Sequence, residues 1–254
     1  MKRVVKLGGR AQSSDALAPA IAAAWNASGA LCVVHGGGDE ISALQRKLGG
    51  EPRFAGGRRM TTAEDLEIIR MVLSGVVNKR LISLFNAAGA LAVGISGEDA
   101  SLISAQPLGI AEFGYVGMPA SINAALIESL WLAGYLPVVS PVGANAESPG
   151  TALNVNGDDA AAAIAVALGA DELLLLADIE GVLDGSGRLI QQMDVDDARA
   201  LIASGVAGGG MAAKLEAAHA ALAGGVRSVR IADIAALGDA ARGTSITLAT
   251  VGAK

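Results

Sequence analysis

Short apolar runs rich in Val, Ile and Leu alternate along the chain with longer stretches in which Ala, Leu and Ile recur at helical spacing. The runs at residues 3–7, 31–35, 91–95, 136–139, 173–177 and 228–232 predict strands. Between them, residues 14–27, 40–48, 63–88, 121–133, 158–168, 194–204 and 211–224 predict helices. Strands joined by helices return in the same direction, so the expected class is α/β with a mainly parallel central sheet. Residues 101–117 carry Pro107 and few helix signals, which predicts a small hairpin or irregular excursion suited to shaping a pocket. Residues 141–156 are rich in Gly, Asn, Pro and Ser and read as a connection inside one domain, between a lobe of about 1–145 and a lobe of about 146–254.

Composition narrows the classes. With 52% hydrophobic and 17% charged residues, the chain is expected to pack as a globule. The apolar stretch near the amino terminus, 30–34, is too short to span a bilayer, so neither a signal peptide nor a membrane helix is expected. Cys32 is the single cysteine and sits in that run, which reads as a small buried side chain in a cytoplasmic protein without an intrachain disulfide. A net charge of -6 gives no electrostatic basis for holding a nucleic-acid backbone or an anionic membrane. A chain of this balance that handles small anions must gather its few cations and free backbone N–H groups locally.

Several glycine-rich segments offer such places. Lys6-Leu7-Gly8-Gly9 closes the first strand, where glycines let the backbone approach a ligand beside a lysine; a flexible turn with a solvated lysine would look the same. Parallel sheets bind ligands beyond the carboxyl ends of their strands, where this segment falls. His35-Gly36-Gly37-Gly38 repeats the arrangement before a helix that begins near Asp39-Glu40, a second anion nest. His35 itself reads as structural, and the sequence offers no cluster of His and Cys for a metal.

Gly56-Gly57-Arg58-Arg59-Met60-Thr61 places two arginines before a helix whose cap is Thr61 or Thr62, with Glu64 set for a capping box. An arginine there can grip a carboxylate bidentately, or belong to a solvated basic loop. Asn154-Val155-Asn156-Gly157-Asp158-Asp159 opens another helix, where Asp158 can orient lysines or simply cap. Asp178 and the residues after it follow an apolar strand and suit the edge of a nucleotide pocket. Gly208-Gly209-Gly210-Met211-Ala212-Ala213-Lys214 runs a glycine loop into a helix bearing a lysine. The P-loop spacing, the G-x-S-x-G elbow and the protein-kinase H-R-D and D-F-G motifs do not occur.

Taken in order, Lys6-Leu7-Gly8-Gly9, His35-Gly36-Gly37-Gly38, Gly57-Arg58-Arg59-Met60-Thr61, Asn154-Val155-Asn156-Gly157-Asp158 and Gly210-Met211-Ala212-Ala213-Lys214 resemble the amino-acid kinase family over essentially the full chain. The resemblance implies an open three-layer αβα sandwich that uses ATP and Mg²⁺ to phosphorylate a carboxylate of a small acyl amino acid, N-acetyl-L-glutamate foremost. It implies Lys6 and Lys214 as transition-state lysines ordered by Asp158, and Gly36, Gly37, Arg59 and Asn154 as acceptor-binding positions. The nucleotide positions it implies are Gly8, Gly9, Asp178, Ile179, Glu180, Gly181, Val182, Leu183, Val206, Ala207, Gly208, Gly210 and Met211; no residue is assigned as a metal ligand. Ala177 and Gly157 depart from residues common in the family, a hydroxyl residue and an alanine respectively.

Two alternatives stand beside this expectation. One is a kinase for α-aminoadipate or glutamate presented on an acidic carrier protein, which an acidic surface disfavours. The other is a silent amino-acid sensor, which retention of both lysines and Asp158 disfavours. The first strand begins almost at Met1, and the related expectation is a homodimer that does not respond to arginine.

Overall fold

The computed structural model describes residues 1–55 and 57–248; Gly56 and residues 249–254, all within the expected domain, lie outside the described residues. The elements in chain order are β1 (Arg3–Leu7), α1 (Leu17–Ser28), β2 (Leu31–His35), α2 (Gly38–Lys47), β3 (Phe54–Ala55), β4 (Arg58–Arg59), α3 (Ala63–Arg70) and α4 (Asn78–Ala87). They continue with β5 (Ala92–Gly97), β6 (Ile103–Pro107), α5 (Ile110–Phe113), β7 (Val116–Ile122), α6 (Ala124–Leu132), β8 (Leu136–Asn145), β9 (Ala152–Val155) and α7 (Gly157–Ala167). The last are β10 (Glu172–Leu176), β11 (Gln192–Asp194), α8 (Val195–Ala203), α9 (Gly209–Ala223), β12 (Ser228–Ala232) and β13 (Thr244–Thr247).

β1 lies mid-sheet, parallel to β10 on one side and to β2 on the other. Beyond β10 come β12, β13 and β11, and beyond β2 comes β8. Successive side chains of these strands leave on opposite faces. Val4, Cys32, Val34, Leu173 and Leu175 enter a core shared with α7 and α9. Val5, Leu7, Leu31, Val33, Leu174 and Leu176 enter the core under α1, α3 and α4. Burial on both faces is why these strands read as continuous apolar runs rather than alternating ones. The result is the expected αβα sandwich, with antiparallel pairs β6–β7, β8–β9 and β12–β13 in an otherwise parallel sheet. Alanine lets α7 and α9 approach closely: at Gly224 a Cβ would lie 2.4 Å from Val166 Cγ2. Each core draws on residues from both sides of position 145, so packing is continuous across the expected lobe boundary.

The segment 141–156 corrects the sequence reading. It is not a plain connection, because β8 runs through it to Asn145 and β9 follows. The first half of β8 lies between β2 and β5, and its second half pairs with β6 and β9. β7 bridges β6 and β9, so these strands close on themselves. Pro141 and Gly143 mark where β8 changes partners and the ladder shifts register, a position where both residues are tolerated within a sheet. The expected hairpin at 101–117 is β6–β7, but β7 continues to Ile122 and α6 starts at Ala124 rather than near 121. The helix read at 63–88 is continuous but relaxes into π geometry over Met71–Val77. Thr62 caps α3 and the reciprocal partner is Asp65, not Glu64, because Asp65 is third in the helix from that cap.

Candidate active site

Three charged side chains from distant parts of the chain converge at the carboxyl end of β1. Lys6 is the penultimate residue of that strand, Asp158 stands in the first turn of α7, and Lys214 lies in the second turn of α9. Asp158 Oδ1 is 3.0 Å from Lys6 Nζ and 3.1 Å from Lys214 Nζ, and Oδ2 is 3.3 Å from Lys214 Nζ. Exposure is 7% for Lys6, 5% for Asp158 and 8% for Lys214, so the charges compensate one another largely out of water. Asn156 provides the helix cap, accepting from the Asp158 and Asp159 backbone N–H groups, which leaves the Asp158 carboxylate for the lysines. At Gly157 a Cβ would lie 3.3 Å from Lys6 Cε, so the missing side chain gives Lys6 its path.

Burial raises the pKa of Asp158, but the two ammonium groups outweigh it and hold the carboxyl below its ordinary value. Burial, reinforced by repulsion from Lys6, pushes Lys214 down to about 8 against the attraction of Asp158.

Two cavities meet at this triad. The smaller, ≈ 210 Å³, is bounded by Gly36, Gly37, Arg59 and Asn154. The larger, ≈ 690 Å³, is bounded by Gly8, Gly9, Asp39, Asp178, Ile179, Gly210, Met211 and Lys214. Lys6, Gly38 and Asp158 belong to both walls. α2 and α9 start on Gly37 and Gly208 with no side-chain cap, which leaves first-turn N–H groups for an anionic ligand, although in α9 the Met211 N–H already donates to Gly208 O. A Cβ at Gly37 would lie 2.8 Å from Leu73 Cδ2, so the close passage of this turn over the π stretch needs glycine.

Arg59 is buried and held from several sides. Its Nη2 donates to Gly38 O at 2.9 Å and Ser42 Oγ at 2.8 Å, Nη1 donates to Gln45, and the guanidinium lies 4.8 Å from the Phe54 ring centroid. Gln45 in turn donates to Asp65, tying the arginine to the cap of α3. Asn154 Nδ2 donates to Thr61 Oγ1 at 3.1 Å. Burial pushes the His35 pKa down to about 4, so the ring is neutral near pH 7. The ring lies between Gly36 O and Asn78 Nδ2, the structural role read from sequence.

The profile of the family described as "Amino acid kinase family" matches residues 1–233. The chain belongs to the amino acid kinase family. It is 50% identical to the acetylglutamate kinase of Paracoccus denitrificans over 201 residues, 79% of this chain and 66% of that one. It is 41% identical to the acetylglutamate kinase of Ruegeria sp. strain TM1040 over 234 residues, 91% of this chain and 81% of that one. A crystal structure from Streptococcus mutans UA159 superposes with a TM-score of 0.88 at 30% identity, covering 97% of this chain and 98% of that one.

Within this member of the family, the remaining expected positions divide. Asp178, Ile179, Gly210 and Met211 line the larger cavity beside Gly8 and Gly9. Glu180 pairs with Arg242, and Gly181 passes so near Thr244 that a Cβ would lie 2.6 Å from its Oγ1. Val182 and Ala207 place their side chains in the core, and Leu183 bridges to Leu189. Val206 is partly exposed and Gly208 caps α9. These seven residues lie outside the cavity wall and frame its surroundings. Sequence reasoning singled out the nest that ends at Gly38 and the helix start at Asp39 but assigned neither residue to the larger wall, where both lie. It missed Gln45, Ser42 and Phe54 around Arg59, for which no local signal existed.

Proposed function

We propose that the chain transfers the γ-phosphoryl group of ATP to the side-chain carboxylate of N-acetyl-L-glutamate, giving N-acetyl-L-glutamyl 5-phosphate in arginine biosynthesis. The observation that carries this reading is the meeting of a small and a large cavity at two lysines bracketing one carboxylate. Relatives bearing the name acetylglutamate kinase support the choice of acceptor. The small cavity takes the acyl amino acid, with Arg59 and Asn154 as polar anchors and the Gly36 and Gly37 backbone at the reacting end. The larger cavity takes the nucleotide. Mg²⁺ would travel with the phosphates, which supply most of its ligands, with Asp39 and Asp178 the wall carboxylates besides the lysine-paired Asp158.

A carboxylate oxygen attacks the γ-phosphorus while the bond to the β–γ bridging oxygen breaks and ADP departs. The attacking group is already ionised near neutral pH, so no general base is needed. The protein's work is alignment and charge neutralisation. Lys6, on the wall shared by both cavities, stabilises the phosphoryl group in transit; Lys214, on the nucleotide side, offsets charge on the leaving oxygen. Asp158 stays ionised and keeps both ammonium groups in place.

Acyl-phosphate formation, trapped as a hydroxamate with Mg-ATP, tests the reading when N-acetyl-L-glutamate, N-acetyl-L-aspartate and L-glutamate are offered in parallel. Selective product from N-acetyl-L-glutamate is expected; ATP binding without product from any of them would defeat it.

The protein is further proposed to act as a cytoplasmic homodimer. Among the described residues no helix is long and apolar enough to cross a membrane. Exposed Leu91 bonds through its carbonyl to the Leu136 N–H, next to exposed Tyr135, at the start of β5, which among the described residues pairs with β8 alone. Exposed apolar surface beside an edge strand suits self-association. Light scattering is expected to give twice the 25.2 kDa chain mass; a monomer at micromolar concentration would reject the dimer.

A further inference from the structure

β3 and β4 hold two residues each and, among the described residues, pair only with one another, and so short a hairpin has little stability of its own. Backbone bonds from Thr61 to Phe113 and Tyr115 hold the chain just after it, and side-chain contacts hold the hairpin itself. Arg59, on β4, is anchored to α2 as described. Its neighbour Arg58 reaches across the cleft, where Nη1 donates to Asp159 Oδ2 in an ion pair that is mostly buried, with side chains 21% and 14% exposed. Arg58 lines the smaller cavity and also a crevice of ≈ 180 Å³ bounded by Gly209, Ala212 and Ala213 of α9. The hairpin thus meets both helices that bring Asp158 and Lys214 to the triad, and Asp159 is the residue directly after Asp158.

We propose that the Arg58–Asp159 pair is a positioning strut that fixes the acceptor-side hairpin, and Arg59 with it, relative to the helix start that carries Asp158. This rests on the reading of the smaller cavity as the acceptor site. Neither residue of the pair bonds to the triad, so its effect passes through alignment of the acceptor carboxylate with the phosphoryl group. The larger cavity does not include Arg58 or Asp159 in its wall, so nucleotide binding is insensitive to the strut. Burial and nearby carboxylates raise the Asp159 pKa against the pull of Arg58, so removing the arginine leaves an uncompensated buried acid.

The test is a double-mutant cycle of Arg58→Met, Asp159→Asn and the pair together. It is assayed with the acceptor that the wild type phosphorylates: the wild-type acceptor identifies whether the underlying reading holds, and the variants test the strut. Each single change is expected to raise the acceptor KM about tenfold, with the KM for ATP unchanged and the double variant no worse than either single one. Arg58→Lys is expected to recover part of the loss, and urea unfolding at the assay temperature must show all variants folded. Unchanged acceptor KM in folded single variants, additive effects in the double one, or an equal rise in the KM for ATP would each overturn the strut.

Discussion

β1 carries a buried charge triad at each end, and the two differ in what is left over for a ligand. At the carboxyl end, Lys6 and Lys214 share Asp158. At the amino end, Arg3 and Arg230 share Glu172: Arg3 Nε lies 2.5 Å from one carboxylate oxygen, and Arg230 Nε donates to the other at 2.6 Å. Arg230 spends its remaining donors on carbonyls of Asp239, Arg242 and Ala236, while Arg3 donates to Leu237 O. That triad is a clamp between β1, β10, β12 and the loop after β12, with the directional donors of Arg230 committed to Glu172 and to carbonyls. The lysines have three donors each, their recorded partner is Asp158, and they stand in the cavity walls. On the proposed mechanism, similar charges serve structure where a planar fork meets carbonyls, and chemistry where a point charge keeps spare donors.

The largest expected separation of the two is in stability. Glu172→Gln leaves two arginines facing each other with no acid between them; a loss of about 3–5 kcal/mol in urea unfolding is expected, with turnover per folded molecule retained. Asp158→Asn should cost less stability, because Lys214, already near 8, can release its proton once the acid is gone, yet it should abolish turnover. Equal stability losses in both variants would remove the distinction.

A smaller effect follows from pH. Lys214 titrates at about 8 in the fold and near its model-compound value of 10.5 unfolded, so between those values the unfolded chain binds more protons. The contribution of Lys214 to stability therefore rises with pH through that window, is fully present above about 10.5 and is lost as pH falls through about 8. On the proposed mechanism transfer needs the ammonium form, so kcat/KM for ATP should drop about tenfold per pH unit above 8 while the stability of wild type relative to Lys214→Met rises. Parallel slopes for the two quantities would contradict the assignment of charge to Lys214.

The same contrast explains what was legible in the sequence. β1, β2 and β10 were readable because burial on both faces writes an unbroken apolar run, and the glycine loops at their ends were readable because close backbone approach demands that residue type. Local reasoning alone left Asp158 as either a cap or a partner of lysines; in the fold Asn156 takes the cap and Asp158 the lysines. Family resemblance, rather than spacing, joined Lys6 to Lys214. The Arg3–Glu172–Arg230 clamp and the Arg58–Asp159 pair were not legible, since each depends on sheet register or on a hairpin crossing to a helix far along the chain. β8 was cut short because Pro141 and Gly143 read as breakers, whereas the strand uses them to exchange partners.

The most direct test of the central claim is single-turnover phosphoryl transfer from radiolabelled ATP in Lys6→Ala and Lys214→Ala, with nucleotide and acceptor affinities measured on the same preparations. A fall of about 10²–10³-fold in the transfer rate, with affinities changed only a few-fold, is the expected result. Transfer at the wild-type rate in either variant would take that lysine out of the mechanism and reduce the triad at the carboxyl end of β1 to a second structural clamp.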